Sequence, residues 1–125
     1  MSNAVLDATA ILALLHGEPG QDKVASVITD AVVSAVNLAE VVGKLVEGGG
    51  SEAAIRLALG KLSLPIVAFD DSQAYLAGLL KAQGRGLSLG DRACLALAIS
   101  MDLPTYTADR TWASLKMGIR VVVIR

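Results

Sequence analysis

The chain has 125 residues, with 11 basic against 12 acidic side chains, a net charge of −1, 54% apolar residues and 3% aromatic ones. Its length and apolar content suit one domain spanning 1–125 and exclude a disordered chain. The balanced charge excludes binding of nucleic acid through a broad basic surface, and four aromatic residues are too few for a base-stacking platform.

Short β-branched runs alternate with longer segments of helical period, the pattern of an α/β protein with a mainly parallel sheet. In chain order the sequence predicts a strand over 4–6, helices over 9–15 and 22–28, a strand over 31–35, helices over 38–47 and 52–62, and a strand over 66–69. A helix over 72–83, one over 91–101, a strand over 105–107, a helix over 110–116 and a strand over 120–124 complete it. The expected architecture is a three-layer α/β/α sandwich around a five-stranded sheet. Gly48, Gly49 and Gly50, followed by Ser51 as an N-cap, are expected to form a flexible connection between two helices.

Several features narrow the class further. Asp7 interrupts the first apolar run, so no export signal is expected. The longest uncharged apolar stretch, 93–101, falls well below the ~18 residues of a membrane span, so the expectation is a soluble, cytoplasmic protein without a membrane partner. A single cysteine, Cys94, provides neither a disulfide nor a cysteine zinc site, and a single histidine, His16, gives little support to paired-histidine or Ser-His-Asp chemistry. Gly84, Gly86 and Gly90 follow a predicted helix rather than a strand, which is the wrong context for a dinucleotide-binding turn.

Most acids have ordinary positions in turns or first helical turns. Four remain: Asp7 ends the first apolar run, Glu40 opens a helix after a strand, Asp91 opens the very apolar helix, and Asp109 follows the fourth strand. Each has a structural explanation as well. Asp7 and Asp109 have the position of N-caps, while Asn37 with Glu40 and Ser88 with Asp91 have the spacing of capping boxes. In a parallel sheet these positions all fall at the carboxyl edge of the strands, where ligands bind. Ser, Thr or Asn would cap equally well, so four carboxylates together suggest an all-oxygen site for a hard cation, Mg²⁺ or Mn²⁺, and do not suit zinc.

The residues around these acids resemble the PIN-domain family, and most closely the small ribonuclease toxins of VapBC-type toxin–antitoxin pairs. The resemblance covers essentially the whole chain. It is carried by Val5-Leu6-Asp7-Ala8-Thr9, by Ser34-Ala35-Val36-Asn37-Leu38-Ala39-Glu40-Val41, by Leu87-Ser88-Leu89-Gly90-Asp91-Arg92-Ala93 and by Tyr106-Thr107-Ala108-Asp109-Arg110, in that order. Asp7, Glu40, Asp91 and Asp109 fall on the family's four acidic positions, with Thr9 and Thr107 as supporting hydroxyls. The resemblance implies a parallel five-stranded sheet, acids converging on one or two divalent ions, cleavage of RNA phosphodiester bonds, a homodimer, and a cognate antitoxin covering the pocket. The glycine run at Gly48 departs from the pattern and bears on the partner surface.

The expected mechanism assigns Asp7, Asp91 and Asp109 to the metal, directly or through water. Glu40 orients or deprotonates the attacking water, leaving a 5′-phosphate and a 3′-hydroxyl. Arg92 and Arg110, each next to an acid, are candidate RNA-phosphate contacts, balanced against a purely solvated role. Trp112 and Cys94 are expected to be packing residues, and Lys44, Arg56 and Arg85 a solvated face or a diffuse basic rim. The other readings are an RNA-processing nuclease without an antitoxin, a PIN-like binding module, and a receiver-like phosphoacceptor domain, which lacks here the paired acids and the final lysine it requires.

Overall fold

The computed structural model describes residues 2–83 and 86–125. Gly84 of the glycine-rich stretch and Arg85 of the basic rim lie outside the described residues. The elements are β1 (Ala4–Leu6), α1 (Ala8–His16), α2 (Gln21–Ala25), β2 (Ala31–Ser34), α3 (Ala35–Glu47), α4 (Glu52–Gly60), β3 (Ile66–Val67), α5 (Asp71–Leu79), α6 (Leu89–Met101), β4 (Thr105–Thr107) and β5 (Val121–Val123). Short 3₁₀ turns occupy Ile28–Asp30, Leu80–Ala82 and Arg110–Ser114. Among the described residues, no helix is long and apolar enough to cross a membrane.

The five strands form one parallel sheet in the order β3-β2-β1-β4-β5. The chain winds outward from β1 through β2 to β3, then returns to the other side of β1 with β4. The switch point therefore lies between the carboxyl ends of β1 and β4, the place where parallel sheets bind ligands. A receiver domain has its third strand beside the first, whereas here β1 is flanked by β2 and β4, so the receiver reading fails.

Strand alternation divides the core in two. Ala4, Leu6, Ala31 and Val33 face Ala10, Ile11, Val24 and Val41, with Leu59 of α4 at the margin; Val5 and Val32 face Cys94, Leu95, Leu97 and Trp112, with Ala77 of α5. The result is the expected three-layer sandwich. Because both sides of the sheet are covered, its strands are largely apolar on both faces, with Ser34, Thr105 and Thr107 the buried polar exceptions.

Local chemistry shifts several boundaries. α3 begins at Ala35, capped by the Ser34 hydroxyl, which accepts from the Val36 N–H at 3.3 Å. Glu40 therefore sits in the second turn, and the expected Asn37–Glu40 capping box does not form. Of the helix expected over 110–116, only Arg110–Ser114 is helical, as a 3₁₀ turn that Asp109 closes by accepting from the Thr111 N–H and hydroxyl. The helices expected over 22–28 and 72–83 each end early, in Ser26 and Leu80, before 3₁₀ turns.

The glycine run is an ordered turn, contrary to the flexible connection expected. Gly48 and Gly50 N–H groups bond the Lys44 and Leu45 carbonyls, and Gly49 takes a φ of +95°. A Cβ on Gly50 would lie 2.9 Å from the Leu45 carbonyl oxygen, so the hairpin closes tightly where only glycine fits.

Candidate active site

Asp7 occupies the switch point. It follows β1, is 4% exposed, and caps α1 by accepting from the Ala10 N–H at 2.9 Å. The capping role predicted for it is real, but it does not account for the rest of its surroundings. The Thr9 hydroxyl donates to Asp7 Oδ1 at 2.7 Å, and the Thr107 hydroxyl, reaching across from β4, donates to Oδ2 at 2.6 Å. Both hydroxyls are themselves oriented from behind: the Ala108 N–H donates to Thr9 Oγ1 at 2.9 Å and the Asp109 N–H to Thr107 Oγ1 at 3.0 Å. Each threonine thus has its proton directed at the carboxylate. Burial still prevails over these donors: it raises the Asp7 pKa, with the Asp91 charge adding to the rise.

Asp91 and Glu40 stand around the same point. Ser88 and Asp91 form the predicted capping box, the Ser88 N–H donating to Asp91 Oδ2 at 2.9 Å and the Asp91 N–H to the Ser88 hydroxyl at 3.1 Å. The Glu40 carboxylate lies against Gly90, where even a methyl group would collide with it. Asn37 Nδ2 donates to Glu40 Oε1 at 2.8 Å and to the Gly90 carbonyl at 3.0 Å. Beneath them the buried Cys94 thiol contacts Thr105 Oγ1 at 3.1 Å; burial pushes its pKa well up, and the charges of Asp7, Asp91 and Glu40 push it further. Burial and these charges keep the thiol protonated and inert.

Asp109 stands apart in its contacts. Its Oδ1 accepts from the Thr111 N–H at 2.9 Å and from the Thr111 hydroxyl at 2.6 Å, capping the 3₁₀ turn. Among the described residues no three His, Cys, Asp or Glu side chains stand close enough to enclose one ion. The donors nevertheless fit Mg²⁺: it commonly takes one or two carboxylates, keeps several waters and leaves positions for substrate phosphate. The Asp91 charge acts on Asp7, and the neighbouring Cys94 thiol is held protonated, so the donors on offer are hard, anionic oxygens.

The arginines have structural partners. Arg92 Nη1 donates to the Ala77 carbonyl at 2.9 Å and its Nε to that of Leu87, tying α6 to α5; Arg110 Nε donates to the Arg125 carbonyl at 2.9 Å. Trp112 is fully buried, as expected of packing. Lys44 pairs with Glu47 and Arg56 with Glu52 on exposed helix faces. By type and spacing Asn37 reads as a cap and Gly90 as part of a glycine-rich stretch, whereas both contact Glu40. The available signal was their placement beside two of the four acids.

Residues 4–116 match the family model of the PIN domain. The chain belongs to the PIN-domain family. Among solved structures, this PIN domain resembles a toxin–antitoxin complex from Klebsiella pneumoniae at a TM-score of 0.76 and 18% identity, covering 98% of each chain. It also resembles VapC20 of Mycobacterium tuberculosis, a sarcin–ricin loop cleaving toxin, at a TM-score of 0.72 and 18% identity, covering 94% of this chain and 99% of that one. A third similar structure is VapBC2 of Rickettsia felis bound to a promoter DNA fragment, at a TM-score of 0.71 and 15% identity, covering 94% and 96%. No curated protein matches the sequence.

Proposed function

We propose that this PIN domain is a Mg²⁺- or Mn²⁺-dependent endoribonuclease, the cytoplasmic toxin of a toxin–antitoxin pair, and that Asp7, Glu40, Asp91 and Asp109 form its catalytic site. The observation that carries this reading is Asp7: a buried carboxylate at the switch point, held by hydroxyls from α1 and β4 and acted on by the Asp91 charge, has more surroundings than a helix cap requires.

Asp7, Asp91 and Asp109 are the residues that would hold the ion, directly or through water. When bound, the ion offsets charge on the phosphoryl and leaving oxygens. Thr9 and Thr107 fix the Asp7 carboxylate, and the exposed Glu40 accepts the proton of the water that attacks phosphorus in line. Arg110, exposed at the rim, and Arg92 contribute phosphate contacts through guanidinium N–H groups beyond those bonded to carbonyls. An apolar groove of about 620 Å³ beside α3, α4 and β3, lined in part by Leu38, Val42, Ile55 and Ile66, suits the antitoxin. The exposed Tyr75 and Leu79 of α5 suit a homodimer contact. The antitoxin assignment is supported by fold likeness to toxin–antitoxin complexes.

The test is cleavage of labelled tRNA and rRNA by the wild type, Asp7→Asn and Asp91→Asn, with Mg²⁺, Mn²⁺ or EDTA. The expected result is discrete, metal-dependent fragments with 5′-phosphate ends, reduced by about 10²-fold or more in both variants. Equal cleavage by all three proteins, or 2′,3′-cyclic phosphate ends, overturns the reading.

A further inference from the structure

The Asn37 side chain is 1% exposed, yet it uses its donor group on two elements far apart in sequence. Nδ2 bonds Glu40 Oε1 one turn along α3, and the carbonyl of Gly90, 53 residues away, in the first turn of α6. Both partners are pure acceptors, so only the nitrogen can face them, and the carboxamide orientation is thereby fixed. Its Oδ1 then has no hydrogen-bond partner among the described residues. An unpaired buried acceptor is unfavourable, so the arrangement favours the nitrogen contacts over satisfying the amide as a whole.

Gly90 completes the arrangement. Glu40 is exposed and has a long, freely rotating side chain, but its carboxylate rests where the Cβ of any other residue at position 90 would be. Only Oε1 is bonded, leaving Oε2 without a protein partner among the described residues.

We propose that Asn37 is a positioning residue for Glu40, its carboxamide locking the Glu40 carboxylate against Gly90 so that Oε2 is the oxygen presented to the attacking water. The assignment rests on the nuclease reading for its catalytic consequence and on the geometry alone for the lock itself. It explains why a buried amide stands one turn before an exposed acid, and why the residue before Asp91 is glycine.

Two measurements test it. The first reads the lock without RNA: in ¹⁵N–¹H spectra of the metal-free protein, the side-chain amide pair of Asn37, identified by its loss in Asn37→Ala, is expected to exchange slowly with water. In Glu40→Ala, a change at an exposed position, one of its protons moves upfield and exchanges faster while the proton bonded to Gly90 stays. An Asn37 pair unchanged by Glu40→Ala overturns the proposal, whether or not the protein cleaves RNA. The second reads its consequence: Asn37→Ala lowers kcat about tenfold with KM little changed, whereas adding Asn37→Ala to Glu40→Ala lowers it no further. An equal fold-loss in both backgrounds also overturns the proposal, since a purely structural link from Asn37 to Gly90 survives in both. Absence of cleavage by the wild type ends the nuclease reading and leaves the amide spectrum to decide the lock.

Discussion

Asp7 shows at single-residue scale how function and stability pull against each other. Its carboxyl is buried, and burial raises its pKa from the ordinary 3.8 despite three donors. Between the unfolded and the folded value, the folded protein holds a proton that the unfolded chain has released. Its contribution to stability is therefore fully present below the unfolded value and is lost as pH rises through the folded one. An asparagine carries no such charge: its oxygen still accepts from Ala10 and Thr9, and relief of the buried charge outweighs the loss of the Thr107 hydroxyl's acceptor. Asp7→Asn is thus expected to raise the melting temperature in EDTA at neutral pH, to leave it little changed near pH 4, and to flatten its decline with pH. Thermal melts of the two proteins across that range check this; a variant less stable than the wild type at neutral pH contradicts the account. The loss of RNA cleavage expected from the same change would then reflect chemistry rather than unfolding.

At the scale of elements, the glycines separate backbone need from space. Gly20 and Gly49 both take φ of +95°, but a Cβ on Gly20 would come within 2.6 Å of the Ile124 carbonyl oxygen, whereas one on Gly49 meets nothing within 4 Å. Gly49→Ala should lose about 1–2 kcal/mol from the left-handed conformation alone, and Gly20→Ala about 2–4 kcal/mol, because the end of β5 must also give way. Urea unfolding midpoints at unchanged slope measure the difference; equal losses would mean that the carboxyl-terminal strand yields freely. These elements also show what could be read in advance. Apolar runs and capping residues made the sheet, α1 and the Ser88–Asp91 box legible, and the four acids stood out once ordinary caps were set aside. The start of α3 was not legible, because Ser34 and Asn37 are both good caps by type and only the packing of Asn37 on Gly90 distinguishes them. Nor was the 3₁₀ turn at Arg110, where apolar periodicity suggested a helix but Asp109 and Thr111 close a tighter turn. The approach of Glu40 to Gly90 joins positions 50 residues apart, beyond the reach of local spacing.

At the scale of the whole molecule, the two half-cores share very short strands. Leu6 faces one side of the sheet and Val5 the other; Val33 and Val32 do the same on β2. Neither layer can lose its strands without exposing the other's core, so the domain should unfold in one transition. Trp112, the sole tryptophan, is fully buried on the α6 side and reports that side by fluorescence, while circular dichroism reports the helices of both layers. The two signals should share one midpoint in urea. A perturbation on the opposite side makes the test sharper: Ile11→Val, within the α1 layer, should remove about 0.5–1.5 kcal/mol and move both midpoints together by a few tenths of a molar. If Ile11→Val moves the dichroism midpoint and leaves Trp112 fluorescence in place, the layers unfold separately. The same cooperativity bears on the proposed site: Asp7 sits where β1 meets α1, Thr107 where β4 ends, and Asp91 on α6, so their arrangement exists only while both layers hold the sheet between them.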